Sequence, residues 1–311
     1  MNKRPPGSSL GHQTGLTLLE ILVALTAGLL LLGAVLAVYV TSNQTSRQTD
    51  NSARLQENAR YAFNAIEQAV RMTGFSGCAQ NGNVFNLPNI YALAPPSDIT
   101  GANGGSTGLK THIAGTDVLV VRGATSQGAP LIQHTMPGTF TVANNCMGLR
   151  NGDQAIITNC DQSWSFQIQN SPAGNCATGA NNQTDITSPS APANNYWYKP
   201  GDMLFGYTTR TFYLTTNNNG IPALFLSQTS GANTPTPQDL VEGVTDMQVL
   251  YGEDTTVPSD GYADAYNDAS AVANWANVVS VRITLTLSTG TGGSIVSKPF
   301  TTTIALRNRL P

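Results

Sequence analysis

The longest apolar stretch in the chain runs unbroken over residues 16–40, LTLLEILVALTAGLLLLGAVLAVYV, with Glu20 as its only charge. As a helix it would extend about 37 Å, enough to cross the hydrocarbon core of a bilayer with some tilt. The fifteen residues before it, MNKRPPGSSLGHQTG, are polar, carry Lys3 and Arg4 and contain two prolines, so they cannot continue the helix. This pattern predicts a detachable leader over 1–15 and a membrane-spanning half-helix over 16–40. Beyond Val40 the sequence turns polar but stays compatible with a helix. From Leu55 the apolar residues fall at Leu55, Ala59, Ala62, Phe63, Ile66, Ala69 and Val70, and gaps of three and four put them on one face. Asp50 with Arg54, and Glu67 with Arg71, are acid-before-base pairs one turn apart. Gly74 supplies a natural stop. One helix over about 16–73 is therefore expected, its amphipathic half (41–74) packing on a head domain over 75–311.

After Cys78 the period shortens to alternating, β-rich runs separated by Gly, Pro, Asn and Ser clusters. Strands are expected at 117–122, 139–142, 154–158, 164–169, 203–215, 223–227, 240–251, 278–288 and 298–306. Long loops are expected at 80–112, 170–197, 228–238 and 252–274, and loops of that length in a compact domain tend to be functional or mobile. The predicted class is α+β: a long N-terminal helix on a strand-rich antiparallel head.

Composition narrows the setting. Only 11% of the residues are charged, against about 25% in an average soluble domain, while Gly, Asn, Ser and Thr are abundant, as in exported surface proteins. Net charge is -3, from 15 basic and 18 acidic residues. Without Lys3 and Arg4 it becomes more acidic, and no basic run offers a footprint for nucleic acid. Cys78, Cys146, Cys160 and Cys176 contain no C-x-x-C pair. In an exported chain they read as two structural bridges, with three connectivities open, rather than as a zinc site.

An ordinary secretory signal places its small-residue cleavage site after the apolar region. Here Gly15 stands immediately before it, and the carboxylate follows five residues later. Gly15, Leu16, Thr17, Leu18, Leu19 and Glu20 resemble the type III signal of type IV prepilins and pseudopilins, with Leu16 where that family usually has Phe. The resemblance implies a pilin-like fold, cleavage by prepilin peptidase after Gly15, and N-methylation of Leu16. A carboxylate inside a bilayer is costly and normally kept for a function. The family implies that Glu20 meets the Leu16 amine of a neighbouring subunit during assembly.

Five further segments resemble one family within that class, the PilW-type minor pilins. They are RMTGFSGC at 71–78, TDVLVVR at 116–122, GDQAIITNC at 152–160, LVEGVTDMQVLYGED at 240–254, and WANVVSVRITLTL at 275–287 with ALRNR at 305–309. By that resemblance Cys78 would pair with Cys160, leaving Cys146 with Cys176. It also implies a protein that works by binding: a minor pilin priming type IV pilus assembly from the inner membrane, its head periplasmic, and ending at or near the extracellular pilus tip. Its partners would be other minor pilins, the major pilin, a PilY-type tip adhesin and the inner-membrane assembly platform. A minor pseudopilin of type II secretion shares the leader motif, and a tip adhesin or DNA receptor is a third reading. The few lysines argue against DNA.

A catalytic reading fares poorly. His12 lies in the leader, His112 and His134 are not at metal-binding spacing, and nucleophile, P-loop and dinucleotide motifs are missing. The glycines at 101–108 lack the strand-to-helix context of a phosphate cradle. The expectation is no enzyme, no cofactor and no metal. Glu253, Asp254, Asp260, Asp264 and Asp268 fit no EF-hand spacing, so a solvated acidic loop is preferred over a calcium site. Tyr196, Trp197, Tyr198, Tyr262 and Tyr266 fall in expected loops, as core anchors or as a partner surface.

Overall fold

The structure is a computed structural model, and it describes residues 17–77, 84–85, 99–102, 112–173, 176, 183–192, 195–230, 236–289 and 295–309. It falls into two compact units, Met1–Ala53 and Arg54–Pro311. One helix, α1 (Leu18–Arg71), contributes to both.

In the first unit the described residues form α1 alone, and none of their side chains is buried. Polar side chains here close back on the helix: Thr41, Thr45 and Thr49 donate their hydroxyls to the carbonyls of Ala37, Thr41 and Thr45, each at 2.9 Å. Such bonds satisfy the hydroxyls within the helix itself.

In the second unit α1 buries Leu55, Ala59, Ala62, Ile66, Ala69 and Val70, the face predicted from the spacing. Glu67 and Arg71 close an ion pair. Gly74 ends the helix in the left-handed region, φ 71°, and its N–H donates to Arg122 O at 2.9 Å. Near the C-terminus, Asn308 donates its side-chain amide to Thr73 O at 2.9 Å and to Arg71 O at 3.4 Å. Helix carbonyls that the helix cannot itself satisfy thereby find donors.

The strands are β1 (Val84–Phe85), β2 (Ile99–Ala102), β3 (Val118–Thr135), β4 (Thr139–Val142), β5 (Gln154–Thr158), β6 (Ser163–Gln167), β7 (Thr184–Thr187), β8 (Met203–Thr216), β9 (Pro222–Thr229), β10 (Thr236–Glu242), β11 (Val244–Glu253), β12 (Ala265–Asp268), β13 (Val278–Thr289) and β14 (Val296–Ala305). The larger sheet has the order β1-β6-β5-β8-β3-β4-β7, with β2 joined to β3, and β9 and β10 continuing from β8. The smaller has the order β12-β11-β13-β14. Among the described residues pairing is antiparallel except between β1 and β6. The α+β, pilin-like architecture is thus present: one long apolar N-terminal helix and a strand-rich antiparallel region.

Several expected boundaries are corrected. The strand expected to end at Arg122 runs on to Thr135 as β3, through a register shift between Ala124 and Gly128. Its glycines look like turn signals, but they mark close approaches. A Cβ at Gly123 would lie 2.2 Å from Met72 O, and one at Gly128 would meet the Phe205 ring at 2.5 Å. The run expected over 240–251 is two strands in different sheets. Gly243, φ 81°, turns the chain from β10, paired with β9, to β11, paired with β13. A Cβ there would sit 2.6 Å from Ser288 O. The expected loops also hold strands: β1 and β2 within 80–112, β7 within 170–197, the start of β10 within 228–238, and β12 within 252–274.

Two main cores result. The first packs α1 from Leu55 to Val70 against Ile99, Leu119 and Phe212 of the larger sheet and Met247, Val281, Ile283 and Leu285 of the smaller. The second gathers Leu131, Phe140, Ile157, Trp164, Phe166, Ile186, Tyr198 and Leu204. Strands β3 and β8 contribute to both.

Candidate functional site

The sequence places the assembly chemistry at the start of α1. Thr17 caps the helix: its carbonyl accepts from Glu20 N at 3.0 Å and Ile21 N at 3.3 Å, and its Oγ1 accepts from Glu20 N at 3.4 Å. Thr17 and Glu20 have the T-x-x-E spacing of a capping box. Glu20 also sits in the first turn, where a carboxylate complements the positive end of the helix dipole. The motif therefore carries a local role that the sequence reading did not draw from it. The acid lies at one end of the apolar run, exposed, and not at its middle. Gly15 and Leu16 lie outside the described residues.

From Leu18 to Val40 the large apolar side chains point outward, with Leu18 78% exposed and Leu30 77% exposed. Each such side chain left in water forgoes roughly 1.5–3 kcal/mol. Apolar surroundings would recover that energy, and α1 is long and apolar enough to cross a membrane. This supports membrane anchoring.

Cys146 and Cys176 are joined by a disulfide across 30 residues of sequence. Cys160 is also disulfide-bonded. Cys78, and with it the expected Cys78–Cys160 pairing, lies outside the described residues.

Of the histidines considered for catalysis or metal binding, His134 has a structural occupation. His134 is buried, stacks on Phe140 at 4.6 Å between ring centres, and accepts from Tyr198 N at Nδ1, 3.2 Å. Burial depresses its pKa, so it is a neutral core residue with its proton on Nε2. Among the described residues no group of three His, Cys, Asp or Glu side chains is placed to hold a metal.

The solvated acidic loop is corrected in part. Glu253 and Asp254 are buried, and both are stapled into the fold. Glu253 accepts from the Asn267 side chain (2.7 Å) and from the backbone N–H groups of Asn274 (2.9 Å) and Ala273 (3.3 Å). Burial raises its pKa, but these donors outweigh burial and hold it below the ordinary value. Asp254 accepts from Ser259 Oγ (2.6 Å), Gly261 N (2.8 Å) and Thr256 N (3.1 Å), with the Ser259 hydroxyl the largest influence lowering its pKa. Asp260, Asp264 and Asp268 are exposed as expected. The aromatics divide: Tyr198 belongs to the second core, Tyr266 lies under the Arg282 guanidinium at 3.7 Å, Tyr196 is half-buried, and Trp197 and Tyr262 are exposed.

No curated protein and no solved structure matches the chain. Residues 211–292, about a quarter of the chain, match the family model PilW, described as Type IV Pilus-assembly protein W. The matched stretch runs from within β8 past β13 and includes the Gly243 crossing between the sheets. The match supports a PilW-like family and, with it, a protein related to type IV pilus assembly that interacts with other pilus components.

Proposed function

We propose that the chain is a minor pilin that primes type IV pilus assembly from the inner membrane and takes a position at or near the pilus tip, acting by subunit contacts rather than catalysis. The PilW match over residues 211–292 carries this reading. The exposed apolar run of α1, with one carboxylate in its first turn, is the accompanying support. In this reading prepilin peptidase cuts after Gly15 and Leu16 is methylated. Glu20 then neutralises the new amine of a neighbouring subunit, which lowers the cost of moving both charges through apolar surroundings. Other minor pilins, the major pilin, a PilY-type adhesin and the assembly platform are the partners, and the head is periplasmic until assembly carries it outside. A head of more than 200 residues is better tolerated at a tip than in a repeating shaft.

The test is the amount of pilin sheared from cells lacking this gene, in a background without pilus retraction, against a complemented control. Loss or sharp reduction is expected. Full piliation would refute the priming role and favour a secretion pseudopilus. Complementing with Glu20→Ala should leave the chain in the membrane yet absent from sheared pili, and normal incorporation would remove the assembly role of Glu20.

A further inference from the structure

We propose that the turn at residues 255–262 is a preformed docking finger for a partner protein whose surface joins an apolar recess to basic side chains. The proposal rests on the assembly reading above and names what one face of the head is built to touch. Between β11 and β12 the chain carries Val257, 93% exposed, and Tyr262, 76% exposed, with Pro258 exposed between them. No other large apolar side chain described in the unit Arg54–Pro311 is as exposed as these two.

An apolar tip on a slack loop could fold back and hide its side chains. Here the two ends are tied. Asp254 gathers Thr256 N, Ser259 Oγ and Gly261 N. Asp264 accepts from Thr255 N at 2.7 Å and Thr255 Oγ1 at 2.9 Å. Asp260 accepts from Tyr262 N at 3.0 Å, which fixes the backbone under the ring. Glu253 anchors the base through Asn267, Ala273 and Asn274. A turn ordered before contact has little conformational freedom left to lose on binding, so its apolar area converts more fully into affinity.

Charge selects the partner. Between Arg210 and Arg282 the sequence has eight acidic residues and no lysine or arginine, and the nearby cation Arg282 lies over the Tyr266 ring in β12. Asp260, Asp264 and Asp268 are exposed on and beside the finger. A recess rimmed by lysine or arginine answers that surface, whereas an anionic lipid surface is repelled by it.

The test uses the full-length chain, expressed in retraction-deficient cells that lack the native copy. One variant combines Val257→Asp with Tyr262→Ser; the other is Asp268→Lys, which reverses an exposed charge beside the finger and leaves the apolar tip and its hydrogen bonds in place. Sheared pilin is quantified beside the level of the chain in membranes. Both variants should hold wild-type membrane levels, and the apolar pair should reduce sheared pilin about tenfold or more, the scale of a lost hot-spot contact. Charge reversal should reduce it several-fold. Wild-type piliation by both variants, in cells where the deletion itself abolishes pili, would overturn the finger and leave the assembly reading standing. Loss with the apolar pair alone would overturn the basic partner, and a fully piliated deletion strain would sink the assembly reading and this proposal together.

Discussion

An alanine at position 123 would place its Cβ 2.2 Å from the carbonyl oxygen of Met72, where the end of α1 crosses β3. The obstructing atom belongs to the backbone, so either the helix end or the strand has to shift. Two hydrogen bonds flank the contact and would be stretched by that shift: Gly74 N to Arg122 O and Ala124 N to Phe75 O, both 2.9 Å. Overpacking of this kind costs about 1–3 kcal/mol, and a weakened hydrogen bond about 1 kcal/mol. Alanine also restricts the unfolded chain, which offsets about 0.4–1 kcal/mol. The net expectation for Gly123→Ala is a destabilisation of about 2–4 kcal/mol, or about 5–12 °C in melting temperature for a unit of this size. Thermal unfolding of the full-length chain in detergent micelles, followed by circular dichroism, measures it. Gly128→Ala is the comparison, because its Cβ would meet the ring of Phe205, a side chain that can swing away; its loss should be less than half as large. A Gly123→Ala protein that melts with the wild type, or a Gly128→Ala protein that melts lower, would refute the argument that contact with helix backbone is what selects glycine there.

Three other outcomes are expected. Cys146→Ser opens a bridge spanning 30 residues and should destabilise the head by about 3–4 kcal/mol on loop-closure entropy, read as a lowered melting temperature that added reductant reproduces in the wild type. Asn308→Ala removes the amide that serves Arg71 O and Thr73 O and should cost about 1 kcal/mol, visible as faster hydrogen exchange in the last turn of α1. The Asp254 and Asp264 carboxylates are held below their ordinary pKa, Asp254 chiefly by Ser259 and Asp264 chiefly by the Thr255 amide. Their stabilisation is therefore full above the unfolded value, near pH 4, and is lost as pH falls through the lower folded values. Protection of the Gly261 amide against hydrogen exchange should hold from neutrality to about pH 4 and collapse below it in the wild type, and should be weak throughout in Asp254→Asn.

Much of the frame is legible in the sequence, because periodicity reports burial. The spacing from Leu55 to Val70 selects the face of α1 that the first core covers, and most of the alternating β runs fall where strands form. What is not legible depends on neighbours distant in sequence. Gly123 and Gly128 look like breaks in a strand until Met72 and Phe205 are seen against them. Gly243 interrupts a run whose two halves are both good strands, and only the partners β9 and β13 assign them to different sheets. Glu253 and Asp254 read as solvated acids because their donors, Asn267, Asn274 and Gly261, lie in a segment without strong periodicity. At the other end of the chain the T-x-x-E spacing of Thr17 and Glu20 is itself a cap signal, embedded in a motif that points to assembly.

The second core is drawn from one continuous segment: its buried residues begin at Ala129 and end at Leu204. Among the described residues the first core takes nothing from between Val121 and Phe212. Strands β3 and β8, paired at Ala124 and Tyr207, act as the stem on which that segment is carried. A short hairpin closing Ala124 onto Tyr207 would leave every side chain of the first core in place, and its cost would fall on the chain just past α1, where Ser76 O would lose the Ser163 hydroxyl that reaches it at 2.6 Å and β1 would lose its partner β6.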